Sequence, residues 1–326
     1  MRIKTYLLVF TFFLIAGTIS GQEKYAIVIH GGAGVMSKSA MSEERQEAYK
    51  AKLNEALELG QKLLHEGNNA TDVVVRVIEV LENSPLFNAG KGAVFTHGGI
   101  NELDASIMEG KTLKAGAVAG VRDVKNPIKG AREVMENSAH VLLSGEGASE
   151  FAKEQGLEIV KNKYFFTESR YQSLKQLQKR ERERTEKDNT GTVGCAVLDT
   201  YGNICAGTST GGMTNKKYGR IGDSPIIGAG TYANNKTCAV SCTGHGEYYI
   251  RLGFARDISA LMEYQNMSVQ EACAEEIRKL SELGGTGGVI GIDAKGNIAM
   301  EFNTSGMFRG YIKSSGEKEI AIFEKE

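Results

Sequence analysis

The most constraining feature of the sequence is an abrupt change of character at Gly191. Before it, from Lys175 to Asp188, 10 of 14 positions are charged, with both signs mixed. After it, residues 192–199 read TVGCAVLD, an apolar and β-branched run typical of a buried strand. The charged tract is typical either of a solvated helix or of a disordered linker. In both cases an exposed segment leads directly into the interior of the fold, which marks a sharp internal boundary.

Composition excludes several classes of protein. The 326 residues are 41% hydrophobic and 24% charged, which is typical of a globular chain with one large domain or two ordinary ones. Lys and Arg number 39 against 40 Asp and Glu. Because no basic excess is available to bind a phosphate backbone, we expect no nucleic-acid partner.

The first 21 residues have the pattern of a secretory signal peptide. Arg2 and Lys4 precede an 11-residue apolar run at 6–16, and small residues follow it. The run is shorter than the ~20 residues that a membrane-spanning helix needs, although an uncleaved anchor remains the alternative. We therefore predict an exported protein, periplasmic in a bacterium and otherwise secreted or vesicular, with no membrane association after signal removal.

The rest of the chain reads as pairs of strands separated by pairs of helices. The first strand, 25–30, is expected to stop at Gly31-Gly32, and one continuous helix is expected over 248–264. Ser268 and Glu271 predict a capping box at the start of a later helix. Because strict strand–helix alternation is absent, a doubly wound sheet is disfavoured. The pattern predicts an α+β fold in which sheets are covered by helices.

The five cysteines show no disulfide or zinc pattern. Their number is odd, no CxxC or His/Cys cluster occurs, and four of them lie in strand-like apolar runs. We therefore expect small buried hydrophobic side chains rather than disulfides.

One short motif suggests a serine hydrolase. Residues 207–211 read GTSTG, the pattern of a nucleophile elbow, and Asp223 and His245 follow Ser209 in the Ser–Asp–His order. Only 35 residues separate Ser209 from His245, too few for the strand–helix units of that fold. Loop-like sequence rather than a helix follows the motif, so this interpretation is disfavoured.

The Gly191-Thr192 pair offers a different chemistry. If the bond before Thr192 is cut, the residue gains a free α-amine beside its own hydroxyl. An amine with a pKa near ~7.7–8.0 is partly neutral at pH 7 and can accept the hydroxyl proton. The required hydroxyl, small preceding residue and accessible segment are all present. From the pattern alone, a threonine that merely begins a strand is the favoured alternative.

Eight longer segments carry a resemblance to a known family. They are VIHGGAG (28–34), PLFNAGKGAVF (85–95), ELDASIMEG (102–110), NPIKGAREVM (126–135), GTVGCAVLD (191–199), TSTGGMTNKKYGRIGDSPIIGAG (208–230), CTGHGEYYIR (242–251) and NTSGMFRG (303–310). With these segments the chain resembles the plant-type asparaginases, also called isoaspartyl peptidases, of the N-terminal-nucleophile hydrolase superfamily. The resemblance covers most of the chain after the predicted signal peptide.

The resemblance implies a four-layer αββα sandwich and self-cleavage between Gly191 and Thr192. The chain would then consist of a signal peptide (1–21), an α fragment (22–191) that ends in an exposed charged linker (167–191), and a β fragment (192–326). Residues 22–326 would form one domain, and two αβ units would form a homodimer.

The resemblance also implies catalytic roles at matching positions. Thr192 would be the nucleophile, with its freed amine as the base, and Thr210 would orient its hydroxyl. The Thr243 hydroxyl and the Gly244 N–H would form the oxyanion hole and contact the substrate. Asn88 would lie near the nucleophile in a structural or positioning role.

Substrate and metal sites are implied in the same way. Arg220 would hold the α-carboxylate of the substrate, and Asp223 would pair with its α-ammonium group. His245, inside the oxyanion segment, has no assigned role. Catalysis would need no cofactor, but the family carries a structural sodium ion. Its ligands would be the backbone carbonyls of Leu81, Glu82, Ser84, Phe87, Ala89 and Lys91.

These roles together predict the function. Asparagine and isoaspartyl peptides share the same β-acyl group and free α-groups, so a site that binds this half accepts both and releases L-aspartate. The signal peptide keeps an exported glycosylasparaginase as an alternative, although Gly191 and Gly211-Gly212 favour the plant-type branch. A non-catalytic amino-acid-binding protein is the less favoured alternative.

Overall fold

We describe the protein from a computed structural model of the intact chain. It describes residues 24–34, 38, 41–182 and 191–324. The predicted signal peptide and the last part of the predicted linker, 183–190, lie outside the described residues. No helix within the described ranges is long and apolar enough to cross a membrane.

Helices and strands are mixed along the chain, which confirms the α+β class. The α-helices within the described residues are α1 (Glu43–His65), α2 (Ala70–Glu82), α3 (Pro127–Asn137), α4 (Gly145–Glu154), α5 (Glu168–Arg182), α6 (Gly246–Leu252), α7 (Phe254–Gln265) and α8 (Val269–Glu282). The strands are β1 (Ala26–Gly34), β2 (Leu103–Glu109), β3 (Ala115–Val121), β4 (Leu142–Ser144), β5 (Val193–Leu198), β6 (Ile204–Thr210), β7 (Thr231–Ala233), β8 (Cys238–Gly244), β9 (Gly287–Asp293), β10 (Ile298–Phe302), β11 (Gly306–Lys313) and β12 (Lys318–Phe323).

The strands form two sheets. The larger one has eight strands in the order β12-β11-β1-β5-β6-β2-β3-β4, and the smaller one has four in the order β10-β9-β8-β7. All neighbouring strands are antiparallel except β3 and β4. The strand that follows Gly191, β5, lies between β1 and β6 in the middle of the large sheet. The sharp boundary in the sequence therefore leads into the centre of the fold.

Three apolar clusters join the two sheets and the helices. One joins helices α1, α2 and α3 to the large sheet, a second joins α7 and α8 to the small sheet, and a third lies between the sheets. Strand β1 shows how one strand serves two clusters. Ile27 and Ile29 face the helices, whereas Ala26 and Val28 face the small sheet, because successive side chains alternate between the faces of a strand. Burial on both faces explains the nearly continuous apolar runs.

Local signals account for several helix boundaries. Ser42 accepts a hydrogen bond from Arg45 N at the start of α1. The predicted capping box at Ser268 and Glu271 is confirmed at the start of α8. At α3 the cap comes from elsewhere in the chain, because the Glu82 carboxylate accepts the hydrogen bond of a backbone N–H in the first turn, that of Ile128 (3.0 Å).

Two predicted elements are wrong in extent. Strand β1 does not stop at Gly31-Gly32, because a shift of register between His30 and Gly32 lets it continue to Gly34. Gly32 has φ +113°, which glycine adopts at little steric cost. The predicted helix 248–264 is divided into α6 and α7 at Gly253, whose φ of 60° lies in the left-handed region.

The described part of the predicted charged linker begins with helix α5. Leu174 is buried on one side of this helix. Arg170 donates to the backbone carbonyls of Gly92 (3.0 Å) and Leu86 (3.3 Å). The helix therefore packs against the loop that follows α2.

Candidate active site

The residues assigned by resemblance surround the point where β1, β5 and β6 lie side by side. The irregular part of β1 brings Gly32 against the Gly191–Thr192 bond, since a Cβ on Gly32 would lie 3.2 Å from both Gly191 Cα and Thr192 N. Thr192 itself is buried. Glycine at position 32 therefore lets the β1 backbone approach the predicted cleavage bond.

Two threonine hydroxyls meet beside this bond. Thr192 Oγ1 donates to Thr210 Oγ1 at 3.1 Å. Thr210 Oγ1 lies 3.1 Å from the Gly191 carbonyl, to which it donates, and it accepts from Gly212 N at 3.0 Å. The nucleophile predicted from the sequence thus has a hydroxyl partner in a defined orientation.

Asn88 lies on the other side of the same carbonyl. Its Nδ2 donates to the carbonyls of Gly191 and Gly212, both at 2.7 Å, and its Oδ1 accepts from Val94 N. The two ends of the amide thus hold the side chain in one orientation. The Gly191 carbonyl therefore receives hydrogen bonds from Asn88 and Thr210, and both donors are placed to stabilise negative charge on that oxygen.

The predicted oxyanion residues lie at the end of β8. Thr243 is fully buried, and its Oγ1 accepts from Ala33 N on β1 at 3.3 Å. At Gly244 a Cβ would lie 2.4 Å from the Thr286 carbonyl oxygen, so a larger residue would displace the neighbouring backbone. The Thr243 contact joins the end of β8 to the glycine-rich end of β1.

Arg220 is paired within the protein. Its Nε and Nη2 donate to the two carboxylate oxygens of Glu247, both at 2.8 Å, and this pairing lowers the pKa of Glu247. The side edge of the guanidinium is therefore used by Glu247, which leaves Nη1 and the second N–H of Nη2 for another carboxylate. A Cβ on Gly246 would lie 3.0 Å from Arg220 Nη2, so this glycine makes room for the guanidinium.

Asp223 is a buried carboxyl group beside Arg220. Its side chain is 4% exposed, and its Oδ2 has no hydrogen-bond partner among the described residues. Burial raises the pKa of Asp223 to about 7, although the positive charge of Arg220 acts in the opposite direction. A buried, unpaired carboxylate oxygen is suited to bind a cationic group.

A second cluster of buried charged side chains lies on and beside strand β2, next to Thr210. Lys216 Nζ is 3.9 Å from both Glu102 Oε2 and Asp104 Oδ2, and it donates to the Glu102 carbonyl at 3.3 Å. Asp104 is paired with Thr210 across β2 and β6. Burial raises the pKa of Asp104, although the positive charge of Lys216 acts in the opposite direction.

The serine-hydrolase arrangement does not form. Ser209 lies inside β6, not at a strand-to-helix turn. Its Oγ donates to Glu82 Oε1 at 2.6 Å, on the opposite face of the strand from Thr210. His245 lies at the start of α6, with Nδ1 3.4 Å from Thr286 Oγ1. No described contact joins Ser209 to His245 or to Asp223.

Sequence reasoning missed three polar residues of this region. His30, Lys216 and Glu247 all lie within the segments that carry the resemblance, but none received a role. One signal was present: His30 is a polar residue that ends an otherwise apolar strand run. Lys216 lies in a polar loop sequence and Glu247 at the start of a helix. Charged residues are common in both places, so neither residue stands out in the sequence.

Comparison with known proteins gives both the family of the chain and its class of enzyme. The chain belongs to the asparaginase family, since a family model described as asparaginase matches residues 23–322. It is 51% identical over 314 residues to the isoaspartyl peptidase of Escherichia coli K12, covering 93% of this chain and 97% of that protein.

Two further relatives extend the comparison. A putative isoaspartyl peptidase/L-asparaginase of Dictyostelium discoideum is 46% identical, with 89% of this chain and 94% of the relative covered. The plant-type L-asparaginase of Pyrococcus horikoshii is 42% identical, with 91% and 99% covered. The family resemblance inferred from the sequence is therefore confirmed, and the chain is an amidohydrolase.

Proposed function

We propose that the chain cleaves itself between Gly191 and Thr192, and that the freed Thr192 hydrolyses isoaspartyl peptides and L-asparagine to L-aspartate. The names of the relatives, isoaspartyl peptidase and L-asparaginase, support these two substrates. We further propose that the two sheets and their covering helices form the four-layer αββα sandwich of the N-terminal-nucleophile hydrolases.

One observation carries the proposal. The hydroxyl of Thr192 adjoins a bond whose carbonyl oxygen accepts from Asn88 Nδ2 and Thr210 Oγ1. Such an oxygen develops negative charge when a nucleophile adds to its carbon, and one donor of this kind is worth ~2.7–4 kcal/mol in a transition state. A threonine that merely begins a strand does not require two side-chain donors to the carbonyl that precedes it.

Self-cleavage would proceed in two steps. Thr192 Oγ1 adds to the Gly191 carbonyl carbon, the carbon–nitrogen bond breaks, and the hydroxyl proton ends on the departing nitrogen. This gives an ester and a free α-amine. Water then hydrolyses the ester, leaving a carboxylate on Gly191 and the free hydroxyl on Thr192.

The same hydroxyl would act on the substrate. The Thr192 amine accepts the hydroxyl proton as Oγ1 attacks the β-carbonyl, with the Thr243 hydroxyl and the Gly244 N–H as oxyanion donors. Ammonia or a peptide amine leaves, and water releases aspartate from the ester. Arg220 binds the α-carboxylate through the edge that Glu247 leaves open, and Asp223 binds the α-ammonium group.

A sodium ion is proposed in the loop after α2. Glycines let the chain fold tightly there: a Cβ on Gly90 would lie 2.3 Å from the Glu82 carbonyl oxygen, and one on Gly92 would lie 2.0 Å from that of Phe87. A side chain at either position would fill this space. Backbone carbonyls suit a hard cation, so the predicted ligands fit a sodium ion. The bound ion would hold in place the loop that carries Asn88.

Export is proposed from residues 1–21 alone. Mass spectrometry of protein recovered from outside the cytoplasm should show that the mature chain begins near residue 22. A full-length N-terminus on exported protein would contradict signal cleavage.

The direct test uses purified protein. Denaturing electrophoresis should show two fragments, and mass spectrometry should place the break before Thr192. Thr192→Ala should remain one chain and release no aspartate from β-aspartyl dipeptides and no ammonia from asparagine. Ser209→Ala should keep both activities, whereas a serine hydrolase would show the reverse pattern. An intact wild-type chain with no hydrolysis would favour the amino-acid-binding alternative.

A further inference from the structure

A row of directly paired residues crosses the large sheet two positions from the nucleophile. His30 on β1 pairs with Gly194 on β5, and Gly194 pairs with Thr208 on β6. Thr208 in turn pairs with Ser106 on β2. Directly paired residues of antiparallel strands project on the same face. Thr192 is two residues from Gly194 and shares that face, so the row lies beside the nucleophile, between the sheets.

Two hydroxyls of the small sheet complete this row. Ser241 Oγ lies 2.9 Å from His30 Nε2 and 2.7 Å from Thr208 Oγ1. Thr231 Oγ1 lies 2.5 Å from Thr208 Oγ1 and 2.8 Å from Ser106 Oγ. All five side chains are fully buried. We call these residues the buried chain: His30, Ser241, Thr208, Thr231 and Ser106.

The buried chain requires glycine at position 194. A Cβ there would lie 2.0 Å from Ser241 Oγ and 2.3 Å from His30 Nε2. Gly194 therefore leaves the space in which a hydroxyl of one sheet reaches the imidazole of the other.

The partners fix the direction of the hydrogen bonds near His30. The Thr192 carbonyl, 3.1 Å from His30 Nδ1, can only accept, so Nδ1 carries the proton. Burial lowers the pKa of His30 to about 3, so the ring is neutral and Nε2 accepts from Ser241. Because the single hydroxyl proton of Ser241 is then used, the hydrogen bond between Ser241 and Thr208, at 2.7 Å, needs the proton of Thr208. The Gly230 carbonyl, 3.2 Å from Thr208 Oγ1, is the longer, competing acceptor for that proton.

The other end of the buried chain lies under the proposed substrate-binding loop. Ser106 Oγ donates to the Ser224 carbonyl at 2.6 Å, and Ser224 directly follows Asp223. The buried chain thus connects the backbone of Thr192 to the backbone beside the proposed ammonium-binding residue.

We propose that His30 is a positioning residue, which holds the Thr192 carbonyl through Nδ1–H so that the hydroxyl and the freed amine of Thr192 face the substrate. The buried chain holds the imidazole in the orientation that this requires. His30 touches neither substrate nor the reacting atoms. This inference rests on the proposed function, because it concerns the nucleophile of that site.

Two substitutions test the roles of the two ring nitrogens of His30 separately. In His30→Asn the amide nitrogen can take the place of Nδ1, which keeps the bond to Thr192 and loses the link to Ser241. In His30→Gln the amide can take the place of Nε2, with the opposite result. We expect kcat to fall by about 100-fold in His30→Gln, the size of effect that a small misplacement produces, and by only a few-fold in His30→Asn. KM should stay within about twofold of wild type in both, since Arg220 and Asp223 are untouched.

Rates are normalised to the fraction of chains with a free Thr192 N-terminus, and thermal midpoints are measured in parallel. A purely structural role predicts that kcat falls equally in both variants, in proportion to the loss of thermal midpoint. That result would overturn the proposal, and so would a wild-type kcat in His30→Gln. Failure of self-cleavage in His30→Gln alone supports it, whereas failure in both variants counts as an equal loss.

A second pair covers the case in which neither His30 variant folds. Thr208→Val removes the hydroxyl at nearly constant shape, and Thr208→Ser keeps it. We expect kcat to fall several-fold in Thr208→Val, with KM unchanged, and to be retained in Thr208→Ser; equal kcat in the two would overturn the proposal. An inactive, uncut wild-type protein would instead show that the proposed function itself is wrong.

Discussion

Burial changes the acid–base behaviour of Asp223. An isolated aspartate is ionised at neutral pH, but this one has a pKa of about 7 because its surroundings exclude water. A substrate ammonium group beside Oδ2 would supply the missing partner and favour the charged form. As the pH falls below about 7, the free carboxyl takes up a proton and its attraction for the substrate is lost.

This predicts two different acid limbs in the pH dependence of hydrolysis. The Thr192 amine must be neutral to act as base, so log kcat should fall with a slope of one per pH unit at low pH. Log kcat/KM should approach a slope of two, because the free enzyme must also lose the proton of Asp223. Steady-state rates with asparagine between pH 5 and 8 measure both slopes. Asp223→Asn should raise KM and return the kcat/KM slope to one; a slope of one in wild type would contradict this role.

Several contacts of single residues in the site cannot be predicted from the sequence. Asn88 and Gly191 are 103 positions apart, and His30 and Thr192 are 162 apart. Spacing along the chain carries no information about such contacts. The resemblance supplied Asn88 and Thr210, but the role of His30 follows only from what lies on either side of its ring.

At the scale of single elements, short-range signals were reliable. The capping box of α8 involves residues three positions apart, so the sequence displays it completely. The break at Gly253 was missed because an apolar pattern continues through it. Strand β7 has three residues, which are too few to show a period. It forms an antiparallel hairpin with β8, to which the short segment 234–237 joins it.

The cap of α8 has a measurable effect on stability. Ser268→Ala removes the side-chain acceptor for Glu271 N and should lower the free energy of unfolding by about 1 kcal/mol. Urea unfolding of the cleaved protein measures it. Ser173→Ala, inside helix α5, is the control and should change the value by less than about 0.5 kcal/mol. Equal effects of the two substitutions would contradict a specific capping role.

On the scale of the whole molecule, packing into the three apolar clusters determines which side chains are shielded from solvent. All five cysteines are buried and unpaired, so the expectation of small hydrophobic side chains is confirmed. Burial raises the pKa of Cys205 and of Cys238 to about 12. Because the thiolate is the reactive form, these groups should be inert in the folded protein.

Thiol titration tests this at neutral pH. The native protein should react with fewer than one equivalent of an aromatic disulfide reagent in minutes, and the protein in denaturant should react with five. The denatured sample is the control for oxidation during purification. Rapid reaction of one or more native thiols would show that a cluster is more open than the structure indicates.

The sequence by itself determined the α+β class, the buried strand after Gly191, the capping box of α8 and, through its motifs, the family and the residues around Thr192. Alternating burial, helical periodicity and end caps all act over a few residues, so a linear pattern records them. The tertiary structure alone decided that β1 continues past Gly31, that Glu247 pairs with Arg220, and that hydroxyls of two sheets meet at His30. These contacts depend on the order of strands and the packing of one sheet on the other, which bring together side chains from distant parts of the chain.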